Sequence, residues 1–373
     1  MIKPYSVNVG QELLDDLNLR IQNTRWPDEI TNSGWIYGSN LEYIKELSDY
    51  WVNDFSWREI ELEINSFPNF MAEIDGHQIH FLHIKGTGRK TTPLIITHGW
   101  PGSFIEMLKL IPLLTSDENL SFDLVIPSVI GFGFSSKYVE SGCDNAYIAD
   151  VWHKLMLELG YEKYGAQGGD IGSGISTHLG LKYPEHIIGI HLNYVSDSFK
   201  PYTDKEELAK DVIEYNQGLE EWAAKEAGYA YIQSTKPITL AYGLNDSPIG
   251  LCAWIVEKFN SWSDNEGNLE NIFTKDEILA NITLYWVTQT IHSSIRIYNE
   301  NSKNPMKFGV NDFVKPPVAY ANFPLEISRP PKVYISKGYN ITRWTNMPKG
   351  GHFAAMEKPE LLAADIKAFF YSL

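Results

Sequence analysis

The chain has 373 residues, 43% of them hydrophobic, which is ample for a buried core and excludes a disordered chain. Its formal net charge of −16 argues against nucleic acid or an anionic membrane as the main partner. Cys143 and Cys252 are the only cysteines, too few for a disulfide framework or a zinc cluster and suited to a reducing compartment.

Met1 to Asn8 lacks the apolar core of a signal peptide, and no run approaches transmembrane length. A cytoplasmic protein without stable membrane insertion is therefore expected. Residues 11 to 64 read as mostly helical, with Leu13, Leu14, Leu17 and Ile21 at helical spacing, a break at Trp26-Pro27-Asp28, and resumption from Leu41 to Trp51. Glu59, Glu61 and Glu63 read as a solvated face. The period becomes strand-like near Phe70, and His77, His80 and His83 then alternate faces, so their metal-like spacing cannot converge on one ion.

Pro93 to Thr97 and Phe122 to Ile126 are short apolar runs fit for buried strands. Tyr147 to Gly160 reads as a helix with Val151, Leu155 and Leu159 on one stripe, closed by a glycine. A strand from Tyr164 to Gly169, a helix from Ile171 to Tyr183 and a strand from Ile187 to Val195 follow. Such alternation predicts an α/β fold, a mostly parallel sheet with helices on both faces. Residues 198 to 311 break the rhythm: they are largely helical, rich in aromatics, and read as an inserted cap. The alternation returns with Val318-Ala319-Tyr320 and Ile341 to Trp344, and a last helix begins at Pro359. The chain thus divides into a helical N-terminal segment (1–69), a first core part (70–197), a cap (198–311) and a second core part (312–373).

Gly168-Gly169-Asp170-Ile171-Gly172 lies between a predicted strand and helix, in the pattern small–x–nucleophile–x–Gly. That is the nucleophile elbow of an α/β-hydrolase with an acid in place of serine. A carboxylate needs no base to activate it and attacks saturated carbon to give an alkyl ester. On these five residues alone, a Gly-rich turn carrying a solvated aspartate is the alternative. His352, between the last strand and helix, agrees with the hydrolase chain order, and Glu326 follows the preceding strand as a candidate orienting acid. His98-Gly99-Trp100-Pro101-Gly102 follows a strand where such folds supply an oxyanion donor. The backbone N–H groups of Trp100 and Ile171 are the candidates, with His98 beside them as a candidate binding residue. Gly131 to Ser136 begins like a dinucleotide fingerprint but has Ser136 where the third glycine belongs.

Together with Trp26-Pro27 and Leu244-Asn245-Asp246-Ser247-Pro248, the stretches at 98–103, 168–172 and 351–357 resemble the microsomal-type epoxide hydrolases. The likeness spans nearly the whole chain. It implies an α/β-hydrolase core, a helical cap, and an N-terminal segment wrapping both. It also implies Asp170 as nucleophile, His352 as base, Glu326 as charge-relay acid, and two cap tyrosines that hold the epoxide oxygen. Tyr229 and Tyr298 fall at the matching places, although Tyr231 lies two residues from Tyr229 and leaves that choice open. No hydrophobic anchor precedes the family region, which favours a soluble form. The implied partners are a small apolar epoxide and water; no metal or organic cofactor is needed, and a homodimer is left open. A haloalkane dehalogenase would share the aspartyl ester but needs indole or amide N–H donors for a halide. A hydrolase-fold binding protein without turnover is the rival from another class.

Overall fold

The structure, a computed structural model, describes residues 1–196, 198–202 and 210–373. Nine strands form one sheet: β1 (Ile2–Pro4), β2 (Asn69–Ile74), β3 (His77–Ile84), β4 (Lys90–Thr97), β5 (Leu120–Pro127), β6 (Tyr164–Gly168), β7 (Ile187–Leu192), β8 (Val314–Asn322) and β9 (Tyr339–Asn346). Their order is β1-β2-β3-β5-β4-β6-β7-β8-β9. The pairs from β1 to β5 are antiparallel, and every pair from β5 through β9 is parallel. This is the mostly parallel α/β sheet expected from the alternating elements, in the α/β-hydrolase architecture implied by the elbow motif and the resemblance.

The parallel part is covered on both faces, which is why its strands read as continuous apolar runs. All eight residues of β5 are buried. Val125 joins a core cluster with Trp152, Leu179 and Ile190, whereas Phe122, Leu124 and Ile126 join another with Ile366 and Phe370. Successive side chains thus enter opposite layers, as a period of two requires. Helices Asn145–Glu158 and Asp170–Lys182 pack together in the first layer, and helix Pro359–Tyr371 packs on β5, β7 and β8.

The N-terminal helices Gln11–Gln22, Leu41–Asn53 and Trp57–Asn65 bind the segment between β7 and β8. Arg20 Nη1 donates to Asp246 Oδ1 at 2.8 Å, Trp51 Nε1 to Thr283 Oγ1 at 3.0 Å, and Ser39 Oγ to the Ala253 carbonyl at 2.5 Å. Leu14, Leu17 and Ile21 are buried, while Leu13 is exposed. The glutamate triplet is not one solvated face. Glu59 and Glu63 are exposed, but Glu61 is buried, accepts the Val9 N–H at 2.5 Å and pairs with Arg58 at 2.5 Å. At about 100° per residue, positions two apart lie on opposite sides of a helix and positions four apart share one.

Among the described residues, six α-helices lie in the segment between β7 and β8, called the cap below: Lys210–Glu226, Gly228–Thr235, Pro237–Leu244, Pro248–Trp262, Lys275–Thr288 and Ile291–Lys303. The Asp246-Ser247-Pro248 motif starts one of them. The Ser247 side chain accepts the Gly250 N–H, Pro248 occupies the first turn, and Asp246 reaches Arg20. Gly131, at φ +88°, turns the chain so that its carbonyl accepts Ser293 Oγ at 2.5 Å, so the Gly131–Ser136 stretch ties core to cap. His77, His80 and His83 bond separately to Tyr147, to Ser128 and Asn69, and to Tyr161. Among the described residues, no helix is long and apolar enough to cross a membrane.

Candidate active site

Asp170, Trp100, Glu326 and His352 all follow the carboxyl ends of parallel strands, where open α/β sheets gather their ligands. Asp170 sits at φ +46°, a region sparsely populated by non-glycine residues but tolerated better by aspartate than by most. The flanking glycines make that turn possible. A Cβ on Gly168 would lie 2.1 Å from the Gly172 carbonyl oxygen, and one on Gly172 would lie 2.0 Å from that of Thr97. The elbow is therefore pressed against β4 by backbone alone. A Cβ on Gly99 would meet Asp170 Oδ1 at 2.1 Å, so the loop after β4 also approaches the carboxylate only because it lacks one.

That approach brings the Trp100 N–H to Asp170 Oδ1 at 2.8 Å and leaves Oδ2 facing His352 Nε2 at 3.6 Å. His352 Nδ1 lies 2.6 Å from Glu326 Oε1, which also accepts the Ile327 N–H at 2.7 Å. The histidine loop is held by Glu357, whose carboxylate accepts the N–H groups of Gly351, Phe353 and Asp264 at 2.8–2.9 Å. The His352 N–H donates to the Trp262 carbonyl at 2.8 Å, fastening the loop to a cap helix. Ile171 follows the carboxylate and lines the same cavity. His98 is placed differently from a binding residue. Its Nε2 accepts the Val129 N–H at 3.1 Å and its Nδ1 donates to the Gly99 carbonyl at 3.1 Å. Burial lowers its pKa to about 4, so it is a neutral brace for the Trp100 loop.

The cap contributes an aromatic wall. The Tyr229 ring stacks on Trp100 at 5.5 Å and 9°, and the Tyr298 ring stands edge-on to Trp100 at 5.8 Å. The two tyrosine rings are 5.9 Å apart, and their hydroxyls are hydrogen-bonded. Tyr229 is buried, whereas Tyr231 is 63% exposed, so geometry selects Tyr229 as the partner of Tyr298. Burial, then the neighbouring Tyr229 and Asp170, raises the Tyr298 pKa well above its ordinary value and keeps this phenol a donor. Both tyrosines and Asp170 line one cavity of about 330 Å³, with Trp222, Met306 and Ile327 among its apolar walls.

Burial opposes a charge on the His352 ring, but the charges and hydrogen bonds of Glu326 and Asp170 outweigh it and hold the pKa well above the ordinary value. Both carboxylates thus favour the imidazolium form of the resting ring. Converting Asp170 to a neutral ester would remove one of those charges, so the pKa would fall just when a base is required. Loss of an adduct from Asp170 should accordingly rise with pH through a midpoint lower than the His352 midpoint of the resting enzyme. Single-turnover rates against pH, beside an NMR titration of His352, measure both; equal midpoints would show that the Asp170 charge does not govern the ring.

Sequence reasoning missed Glu106, Gln167 and Glu357. Glu106 is a lone acid in the apolar stretch Phe104 to Met107, a local signal that could have flagged it.

Comparison with known proteins agrees with this geometry. Residues 2–107 match the model of the epoxide hydrolase N terminus, and residues 92–223 match that of the α/β-hydrolase fold. Epoxide hydrolase 1 of Sus scrofa is 38% identical over 401 aligned positions, covering 99% of this chain and 88% of that protein. The crystal structure of juvenile hormone epoxide hydrolase from the silkworm Bombyx mori superposes with a TM-score of 0.90 at 29% identity, covering 100% of this chain and 95% of that one. The epoxide hydrolase of Aspergillus niger superposes at 0.88 and 29% identity, with coverages of 100% and 96%. With an elbow carboxylate set between a cap tyrosine pair and a histidine–glutamate pair, and with relatives of this similarity over its full length, the chain belongs to the epoxide hydrolase family of the α/β-hydrolase fold.

Proposed function

We propose that the protein hydrolyses a small apolar epoxide to a vicinal diol through an ester on Asp170. The observation that carries this reading is the placement of one carboxylate between two opposed groups: the Tyr229–Tyr298 pair in the cavity and the His352–Glu326 pair beside Oδ2. The tyrosine hydroxyls bond the epoxide oxygen and donate to it as the ring opens, which an alkoxide leaving group requires. Oδ2 attacks a ring carbon, and the carbon–oxygen bond of the ring breaks. Oδ1, already on the Trp100 N–H, becomes the ester carbonyl oxygen, with the Ile171 N–H as the second donor when charge develops there. Neutral His352 takes a proton from water, the hydroxide adds to Asp170 Cγ, and the ester bond breaks. The departing diol oxygen takes that proton back from His352. The carboxyl group so formed ionises, and its proton, with the one His352 released on alkylation, reprotonates the tyrosine and the histidine, so the carboxylate and both donors are restored.

The apolar cavity walls support an apolar substrate, and the volume suits a small organic molecule. Cys143 and Cys252 are buried free thiols, which supports a reducing compartment such as the cytoplasm. A halide cradle would use unpartnered indole donors, and the buried Nε1 atoms of Trp100 and Trp262 are of that kind. Neither indole lines the substrate cavity, however, while both tyrosines do. A panel of aliphatic, aryl and terpene-like epoxides, assayed for diol beside 1-haloalkanes assayed for halide, tests the proposal. Halide release with every epoxide left intact would overturn it.

A further inference from the structure

Among the described residues, Lys258 is the one buried lysine or arginine, at 5% exposure. It stands on the cap helix Pro248–Trp262, one turn before Trp262 and so on the same face as that indole. Its Nζ lies 4.5 Å from the centre of the Tyr229 ring and 5.5 Å from that of Trp262, within the range of a cation held over an aromatic face. The two rings are 5.2 Å apart, and Trp262 stands edge-on to His352 at 5.2 Å. The carboxylate partner of the ammonium is its chain neighbour Glu257, whose other oxygen accepts Ser261 Oγ at 3.1 Å. Glu257 is the more exposed of the two, so water screens its charge more than it screens the ammonium. An ammonium taken out of water costs free energy even when paired, whereas a methionine would fill the same space without that cost.

We propose that Lys258 stabilises the negative charge that Tyr229 takes on as the epoxide ring opens, which makes Lys258 a positioning residue for the first half of the reaction and Tyr229 the tyrosine that gives up its proton. The inference rests on the covalent reading above. In that step Asp170 Oδ2 bonds to a ring carbon, and the carbon–oxygen bond of the ring breaks. The electron pair of the broken bond goes to the epoxide oxygen, which takes the phenolic proton of Tyr229. The electron pair of the O–H bond stays behind, so a phenolate replaces a phenol, and part of its charge spreads into the ring over which the ammonium lies. Lys258 therefore attracts the side chain more strongly in the transition state than before it, which is the condition for acceleration.

Tyr298 has no comparable support. Burial first, then Tyr229 and Asp170, act against a charge on its oxygen, so it holds the epoxide oxygen as a hydrogen-bond donor. The other charged groups at this corner are engaged elsewhere. Asp170 Oδ1 accepts the Trp100 N–H, His352 Nδ1 is turned to Glu326, and Glu357 is taken up by three backbone N–H groups.

The test follows adduct formation by rapid quench and intact mass in a His352→Gln background, with an aryl epoxide the wild type turns over. Lys258→Met keeps the length of the stem and removes the charge, and should slow formation by about 10- to 30-fold. Lys258→Arg keeps a cation over the ring and should restore the rate to within about threefold of the parent. In a Tyr229→Phe background, Lys258→Met should cost no more than about twofold further, whereas in Tyr298→Phe it should still cost about 10-fold. Equilibrium binding of the same epoxide to Asp170→Asn protein should change by less than about twofold on Lys258→Met, because the phenol is uncharged until the ring opens. A methionine variant that forms the adduct at the parent rate overturns the inference. So does a loss that persists undiminished in Tyr229→Phe, or one matched by weaker binding, which would mark a purely structural lysine. An arginine variant that binds the epoxide normally yet stays as slow as methionine also overturns it. A His352→Gln parent that forms no adduct would instead overturn the covalent reading itself.

Discussion

The His352→Gln enzyme is expected to accumulate a covalent adduct on Asp170 whose added mass equals one intact epoxide. Attack by Oδ2 needs no base, so the substitution spares ester formation, whereas glutamine cannot take a proton from water. Adduct decay should fall by on the order of a thousandfold, within the range that positioned bases supply. Ring opening expels nothing, so the whole substrate is retained; a dehalogenase would add only the alkyl group and lose halide. Peptide mapping should place the adduct on Asp170, and Asp170→Asn should show none and turn nothing over. A His352→Gln protein that remains unmodified after long exposure would mean that water attacks the epoxide directly, with Asp170 acting as a base.

Removing both cap hydroxyls should nearly abolish ester formation. Tyr229 and Tyr298 lie 5.9 Å apart over one cavity with hydrogen-bonded hydroxyls, so two donors serve one oxygen and each partly covers for the other. Tyr229→Phe and Tyr298→Phe are each expected to slow alkylation by about 10- to 100-fold, and the double variant by about 10⁴-fold, since a single donor to a developing oxyanion is worth roughly 10²–10³. Tyr231→Phe, at an exposed position, should change little and serves as the control. The rates are read from single-turnover adduct formation in a His352→Gln background, where decay does not interfere. An unchanged rate in Tyr298→Phe would remove that residue from the leaving-group role.

Both variant series depend on groups that the fold brings together from distant parts of the chain. His352 links them electrostatically, because a charge on its ring is favoured by Glu326 and by the Asp170 carboxylate. In the proposed mechanism, alkylation would remove one of those charges, lower the histidine pKa and so prepare the second half of the reaction.

Local features were legible in the sequence because their physics is local. Apolar runs at β4 and β5 mark strands covered on both faces, and the glycines around Asp170 mark a turn in which backbone touches backbone. The mostly parallel α/β sheet followed from the alternation of such elements, and its α/β-hydrolase character from the elbow motif and the family resemblance. The glutamates of the Trp57–Asn65 helix do not form the one solvated face expected, because helical geometry turns Glu61 inward while Glu59 and Glu63 face solvent. The choice between Tyr229 and Tyr231 lay beyond the sequence, since both stand on one short helix and only the cap's packing on Trp100 buries one and exposes the other. His98 carries no local sign that both its nitrogens are spent on backbone. Nor does any motif reveal the chamber that Glu106 and Gln167 share with His352, because those residues come from a short 3-10 turn, from β6 and from the loop after β9. Periodicity and turn chemistry are written in neighbouring residues, whereas cavities and coupled charges arise where sheet order and cap packing bring residues far apart in the chain within a few ångströms.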